Sequence, residues 1–139
     1  MRETKELKIK ASDESMQAVT DFIHSALPKK CDDMVLNQID LAVEEIFVNI
    51  AHYSGAEDAE ISAGFEYCGD DHGILEVVFT DAGVQFDPLA KPDPDLTLSA
   101  EERNIGGLGI FLTKKFMDSV EYDYSGGKNI LRIKKSLNI

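Results

Sequence analysis

The sequence predicts an α+β fold, a two-layer sandwich with helices on one face of a mixed, mainly antiparallel sheet. Three observations carry this. Two helical stripes stand together early in the chain. Four of the five candidate strands fall in neighbouring pairs joined by short polar turns. One long stretch without periodicity separates the first pair from the last helix.

In chain order, residues 5–11 alternate polar and apolar like a half-buried strand. Ser12, with Glu14 and Ser15 behind it, is placed to cap a helix running to about residue 27, with Met16, Val19, Phe22 and Ile23 as its apolar face. Pro28 and two lysines end it. Asp32 or Asp33 caps a longer helix reaching about Tyr53. Its stripe is Ile39, Ala42, Val43, Ile46, Ile50 and Tyr53, at helical spacings of three and four. Ser54-Gly55 closes it. Residues 60–67 and 73–80 form a hairpin across a polar turn at 69–73. From Asp81 to Gly107 the pattern disappears, and three of the four prolines, Pro88, Pro92 and Pro94, lie there. A loop of that length in a small domain is usually functional. Residues 108–116 form a short helix, and 119–124 and 129–135 a second strand pair around Ser125-Gly126-Gly127.

The 139 residues fit a single domain, 1–139, with 14 basic and 26 acidic side chains and a net charge of −12. This acid excess argues against sequence-independent nucleic-acid binding and against docking on anionic membranes. It leaves room for a phosphate ligand, because backbone N–H groups and a cation can hold phosphates on an acidic protein. No apolar run approaches the roughly 18 residues of a membrane span. The first ten residues lack the apolar stretch of a signal peptide. Cys31 and Cys68 match no metal or redox spacing, so reduced thiols in a cytoplasm are expected.

Three short motifs carry the chemistry. Glu45, Asn49 and His52, at spacings of four and three, share one helix face, about 100° from the Ile46–Ile50 core stripe. Such a face borders a cleft, although a Glu/Asn pair on a wet helix is the plainer alternative. Thr80-Asp81-Ala82-Gly83 ends an apolar strand, where a carboxylate can accept from an amino group and Gly83 admits close backbone approach; an ordinary turn is the alternative. Gly106-Gly107-Leu108-Gly109-Ile110 opens the last helix, where N–H groups and the helix dipole favour a phosphate; a flexible hinge is the alternative. This last motif follows a loop and not a strand, and the P-loop pattern is absent, so neither a Rossmann unit nor a P-loop is indicated.

Taken in order, a helical E-x-x-x-N, a D-x-G after a strand, a long loop and a G-G-x-G opening a helix resemble the GHKL (Bergerat-type) ATPase superfamily, over essentially the whole chain. Glu45–Asn49 resembles its N box, Asp81–Gly83 and Gly107–Gly109 its two glycine boxes, and residues 86–106 its ATP lid. Within the superfamily, the chain is similar to the small anti-sigma-factor serine/threonine kinases. Their pattern stands here as Glu44-Glu45-Ile46-Phe47-Val48-Asn49, Asp81-Ala82-Gly83-Val84-Gln85-Phe86-Asp87-Pro88 and Gly106-Gly107-Leu108-Gly109-Ile110. The final Gly127-Lys128-Asn129-Ile130-Leu131 resembles their closing strand.

The resemblance implies ATP and Mg²⁺ as cofactors. Asp81 would accept from the adenine amino group with Gly83 beside it, and Asn49 would ligate Mg²⁺ through its amide oxygen. Gly106, Gly107, Leu108 and Gly109 would give backbone donors to the phosphates. His52 stands three residues after Asn49, where histidine kinases often keep a basic residue, and would face the phosphates. Arg103 would reach the terminal phosphate, or pair with Glu101 or Glu102 at the surface. Glu45 would act as general base on the attacking hydroxyl; Glu44 has no Asn four residues later and lies nearer solvent. His24 reads as a structural or surface histidine. By the same resemblance, the acceptor is a serine or threonine of a STAS-type antagonist (anti-anti-sigma) protein and the second partner is a sigma factor; the family is often homodimeric. The alternative is a non-catalytic, ATP-gated interaction module of the same fold.

Overall fold

A computed structural model describes residues 3–90 and 107–139. Pro92, Pro94, Arg103 and Gly106, and with them most of the expected lid, lie outside the described residues. Five strands, β1 (Glu3–Lys10), β2 (Asp58–Tyr67), β3 (His72–Asp81), β4 (Ser119–Ser125) and β5 (Lys128–Asn138), form one sheet in the order β1-β2-β3-β5-β4. Three helices, α1 (Met16–Ala26), α2 (Asp33–Asn49) and α3 (Gly107–Phe116), complete the α+β sandwich. The sheet, expected to be mixed and mainly antiparallel, is not mixed: all four pairings are antiparallel.

Strand alternation builds the core. Ala59, Ile61, Ala63 and Phe65 of β2 and Leu75, Val77 and Phe79 of β3 are buried on one sheet face, joined by Leu131 and Ile133 of β5. Val19 and Ile23 of α1 and Ile39, Val43, Ile46 and Phe47 of α2 pack against them. Each large side chain removed from water in this way contributes about 1.5–3 kcal/mol. The stripe read from α2 holds the helix to the sheet as far as Ile50; Tyr53, expected to end it, lies on the turn after the helix and is 58% exposed. Among the described residues no helix is long and apolar enough to cross a membrane.

The ends of the helices depart from the local reading. Ser12 makes no side-chain cap; a 3-10 turn, Asp13–Ser15, intervenes and α1 begins at Met16. Asp32 does cap α2, accepting from the Met34 backbone N–H at 3.2 Å. At its other end α2 stops at Asn49, and one wide π turn, Ile50–Ser54, carries the chain to Gly55 at φ +70°. Such turns are frequent at functional sites. Here the turn sits directly behind Asn49, and the β3–β5 register sets Asp81 opposite Asn129.

Candidate active site

Between α2 and the sheet lies a cleft with apolar walls from Ile46, Ile50, Phe79 and Leu131, and with Asn49, Ser54, Asp81, Tyr122 and Asn129 as its polar residues. Phe86 and Pro88 close one side. A largely apolar cleft with a few convergent polar groups is the usual form of a small-molecule site. Asn49 is only 9% exposed, yet among the described residues its amide has no hydrogen-bond partner. A buried amide left open to a cleft is suited to a ligand or a cation shell.

One turn back along α2, Glu45 is half-buried, whereas Glu44 is exposed. Loss of solvent pushes the Glu45 carboxyl above the ordinary carboxylate range. Its side chain lies over the first turn of α3. A Cβ added at Gly109 would collide with the Glu45 carboxyl group, so the bare Gly109 Cα is what lets the two helices bring that carboxyl to the start of α3. Thr113, fully buried, fixes the same turn by donating its hydroxyl to the Gly109 carbonyl at 2.8 Å.

Across the cleft, Asp81 ends β3 and is 5% exposed. Its Oδ1 accepts from the Gly83 N–H at 2.9 Å and from the Asn129 amide at 3.0 Å. Its Oδ2 has no donor among the described residues. Gly83 is needed for a contact within the protein: a Cβ there would strike the Ser54 backbone, and the Val84 N–H donates to the Ser54 carbonyl at 2.7 Å. The D-x-G segment is thus docked on the π turn that follows Asn49. Tyr53 of that turn stacks on Phe86, ring centroids 5.5 Å apart.

The structure therefore pairs Glu45 with Gly109, sets Asn49 on the cleft one helical turn after Glu45, and joins Gly83 to Asp81, which also lines the cleft. Gly107 opens α3, and Leu108 is 39% exposed in its first turn. His52 is not brought to this group. Its Nε2 pairs with the Asp13 carboxylate at 2.8 Å, outside the cleft. The cause is the π turn, which ends the α-helical spacing at Asn49, so that a residue three further on no longer continues the Glu45–Asn49 face. His24 makes a separate contact, Nε2 to Asp40 Oδ1 at 2.7 Å, between α1 and α2. Asn129 and Ser54 belong to the site without having been singled out for it; only the likeness of the closing strand had drawn attention to Asn129.

Known proteins resemble this chain in sequence and in fold. The family model described as a histidine kinase-like ATPase domain matches residues 9–135. The serine-protein kinase RsbW of Listeria monocytogenes is 32% identical over 105 residues, and that of Listeria innocua 31%. Each alignment covers 71% of this chain and 65% of the relative, so the match spans a little under two thirds of those proteins. Among solved structures, the RsbU and RsbW domains of Rv1364c from Mycobacterium tuberculosis superpose with a TM-score of 0.64 at 15% identity, over 97% of this chain and 33% of that one. That likeness is one of fold.

Proposed function

The chain belongs to the histidine kinase-like ATPase family, and from that premise we propose that it is an ATP-dependent protein serine/threonine kinase of the anti-sigma-factor type. Its acceptor is a serine or threonine of a STAS-type antagonist protein, its second partner a sigma factor, and its setting the cytoplasm. The observation that carries this reading is a pair of groups on the cleft that are open among the described residues: the Asn49 amide, without a partner there, and the Asp81 carboxylate, with one oxygen clamped and the other without a donor there.

These residues fit an adenine nucleotide with Mg²⁺. Oδ2 of Asp81 is an acceptor for an exocyclic amine, which adenine has at the position where guanine carries an oxygen. Ile46, Ile50, Phe79 and Leu131 give the base an apolar bed. The Asn49 amide oxygen is a hard ligand, and a cation that keeps several waters and binds phosphate oxygens needs few such ligands from the protein. When bound, Mg²⁺ supplies charge neutralisation to the phosphates on this acidic chain. Gly107 and Gly109 lie at the N-terminus of α3, where backbone N–H groups favour negative charge.

Glu45 takes the proton of the attacking hydroxyl. Its carboxyl is half-buried beside the α3 N-terminus, one helical turn from Asn49 and on the same face. The upward push on its pKa brings it nearer the operating pH, as a general base requires. Incubating the purified chain with labelled ATP, Mg²⁺ and a STAS-type antagonist from the same genome tests the proposal. Label on a serine or threonine of the antagonist supports it. Nucleotide binding without transfer to any such acceptor favours the non-catalytic, ATP-gated module instead.

A further inference from the structure

Asn129, next to the first residue of β5, is a buried amide outside the three motifs. It is 6% exposed and makes four hydrogen bonds. Its Nδ2 donates to Asp81 Oδ1 at 3.0 Å and to the Val84 carbonyl at 2.8 Å. Its Oδ1 accepts from the Phe86 N–H at 3.0 Å and from the Tyr122 hydroxyl. The amide is saturated, with two donors used and two lone pairs filled. Turning it over would set its oxygen against a carboxylate and a carbonyl, so one orientation is enforced.

Resting on the nucleotide reading above, we propose that Asn129 is a specificity-positioning residue, whose amide locks Asp81 Oδ1 so that Oδ2 alone meets the purine base. A carboxylate free at both oxygens can rotate, or accept from water, and so adapt to more than one base edge. Here the Gly83 N–H and the Asn129 amide fix its rotation. What remains at the cleft is a single acceptor that an amine satisfies and a carbonyl oxygen repels. Asn129 also ties Val84 and Phe86 to β5, so the segment flanking the base is held by the same side chain. The β3–β5 register, Asp81 opposite Asn129, makes this reach direct.

The test compares affinities for Mg·ATP and Mg·GTP in the full chain and in Asn129→Asp, which keeps the size and loses both donors. Melting temperature and circular dichroism are followed in parallel. The wild type should prefer ATP. In Asn129→Asp the ATP-to-GTP affinity ratio should fall about tenfold, the weight of one hydrogen bond to a charged group, with helix content kept. Should that variant fail to fold, Asn129→Ala, which places no charge beside Asp81, carries the same expectation. An unchanged ratio, or equal loss of both nucleotides, overturns the positioning role while leaving the nucleotide reading intact. A wild type that binds neither nucleotide overturns that reading and, with it, the role of Asn129.

Discussion

The Glu45 carboxyl group occupies the space in which a side chain at residue 109 would begin. The glycine of the G-G-L-G stretch therefore does more than expose backbone to a ligand; its missing Cβ is the seat of the proposed base. Gly109→Ala is expected to leave the fold standing, because the obstructing atoms are the far end of a flexible side chain, and alanine adds about 1 kcal/mol of helix propensity. Phosphoryl transfer should nonetheless fall by about tenfold or more, since the carboxyl must move. Thermal melting alongside a transfer assay checks it. Full transfer activity in this variant would show that the Glu45–Gly109 contact does not position the base.

Removing the N-box groups one at a time should separate binding from chemistry. Glu45→Ala is expected to keep or raise ATP affinity, because a negative charge near the phosphates is lost, while transfer falls by about 10²–10⁴. Asn49→Ala should weaken Mg²⁺-dependent ATP binding directly. Glu44→Ala, at an exposed position, should change neither. Calorimetry and acceptor labelling on the same three proteins decide it. A Glu44→Ala enzyme that loses transfer while Glu45→Ala keeps it would reassign the base.

Burial of Glu45 also fixes the sign of a pH effect. The folded protein holds this carboxyl's proton more tightly than the unfolded chain does. The cost of its charge is therefore absent below the unfolded value of about 4.3 and grows as pH rises through the raised folded value. Glu45→Gln should accordingly melt at a higher temperature than wild type at neutral pH, and the gain should fade as pH is lowered through the carboxylate range. In wild type, the acidic limb of the transfer–pH profile should lie above that of an ordinary glutamate. A variant no more stable than wild type at pH 7 would count against a desolvated carboxyl.

His52→Ala should leave ATP affinity within about twofold. The ring is engaged with Asp13 outside the cleft, and an exposed pair of this kind contributes about 0–1 kcal/mol. The check is a nucleotide titration with a melting curve. A tenfold loss of ATP affinity would restore His52 to the phosphates.

How much of this was readable beforehand follows from how each feature is encoded. The α2 stripe, the strand alternation of β2 and β3, and the Glu45–Asn49 face rest on periods within a few residues, and the structure shows each. The π turn after Asn49 rests on docking, for Ser54 meets the backbone at Gly83 and Val84 only once β3 is in place. A helical extrapolation therefore ran past Asn49, where the π turn begins, and could not show the His52–Asp13 contact. The Asn129–Asp81 bond joins residues 48 apart and depends on the register of β3 against β5. Register follows from pairing across the whole sheet, which no local spacing in a single chain displays. The glycines of the two boxes were legible as glycines, but their neighbours, Ser54 and Glu45, were not.

Isothermal titration of ATP into the full chain, with Mg²⁺ and with the metal chelated, and repeated on Asp81→Asn, tests the central claim most directly. Saturable binding that strengthens with Mg²⁺ is expected for the wild type. Asp81→Asn, which replaces a charged acceptor with a neutral amide, should lose about tenfold or more. No heat of binding from wild type at millimolar ATP with Mg²⁺ would contradict the account, and so would an Asp81→Asn protein that binds ATP as tightly as wild type.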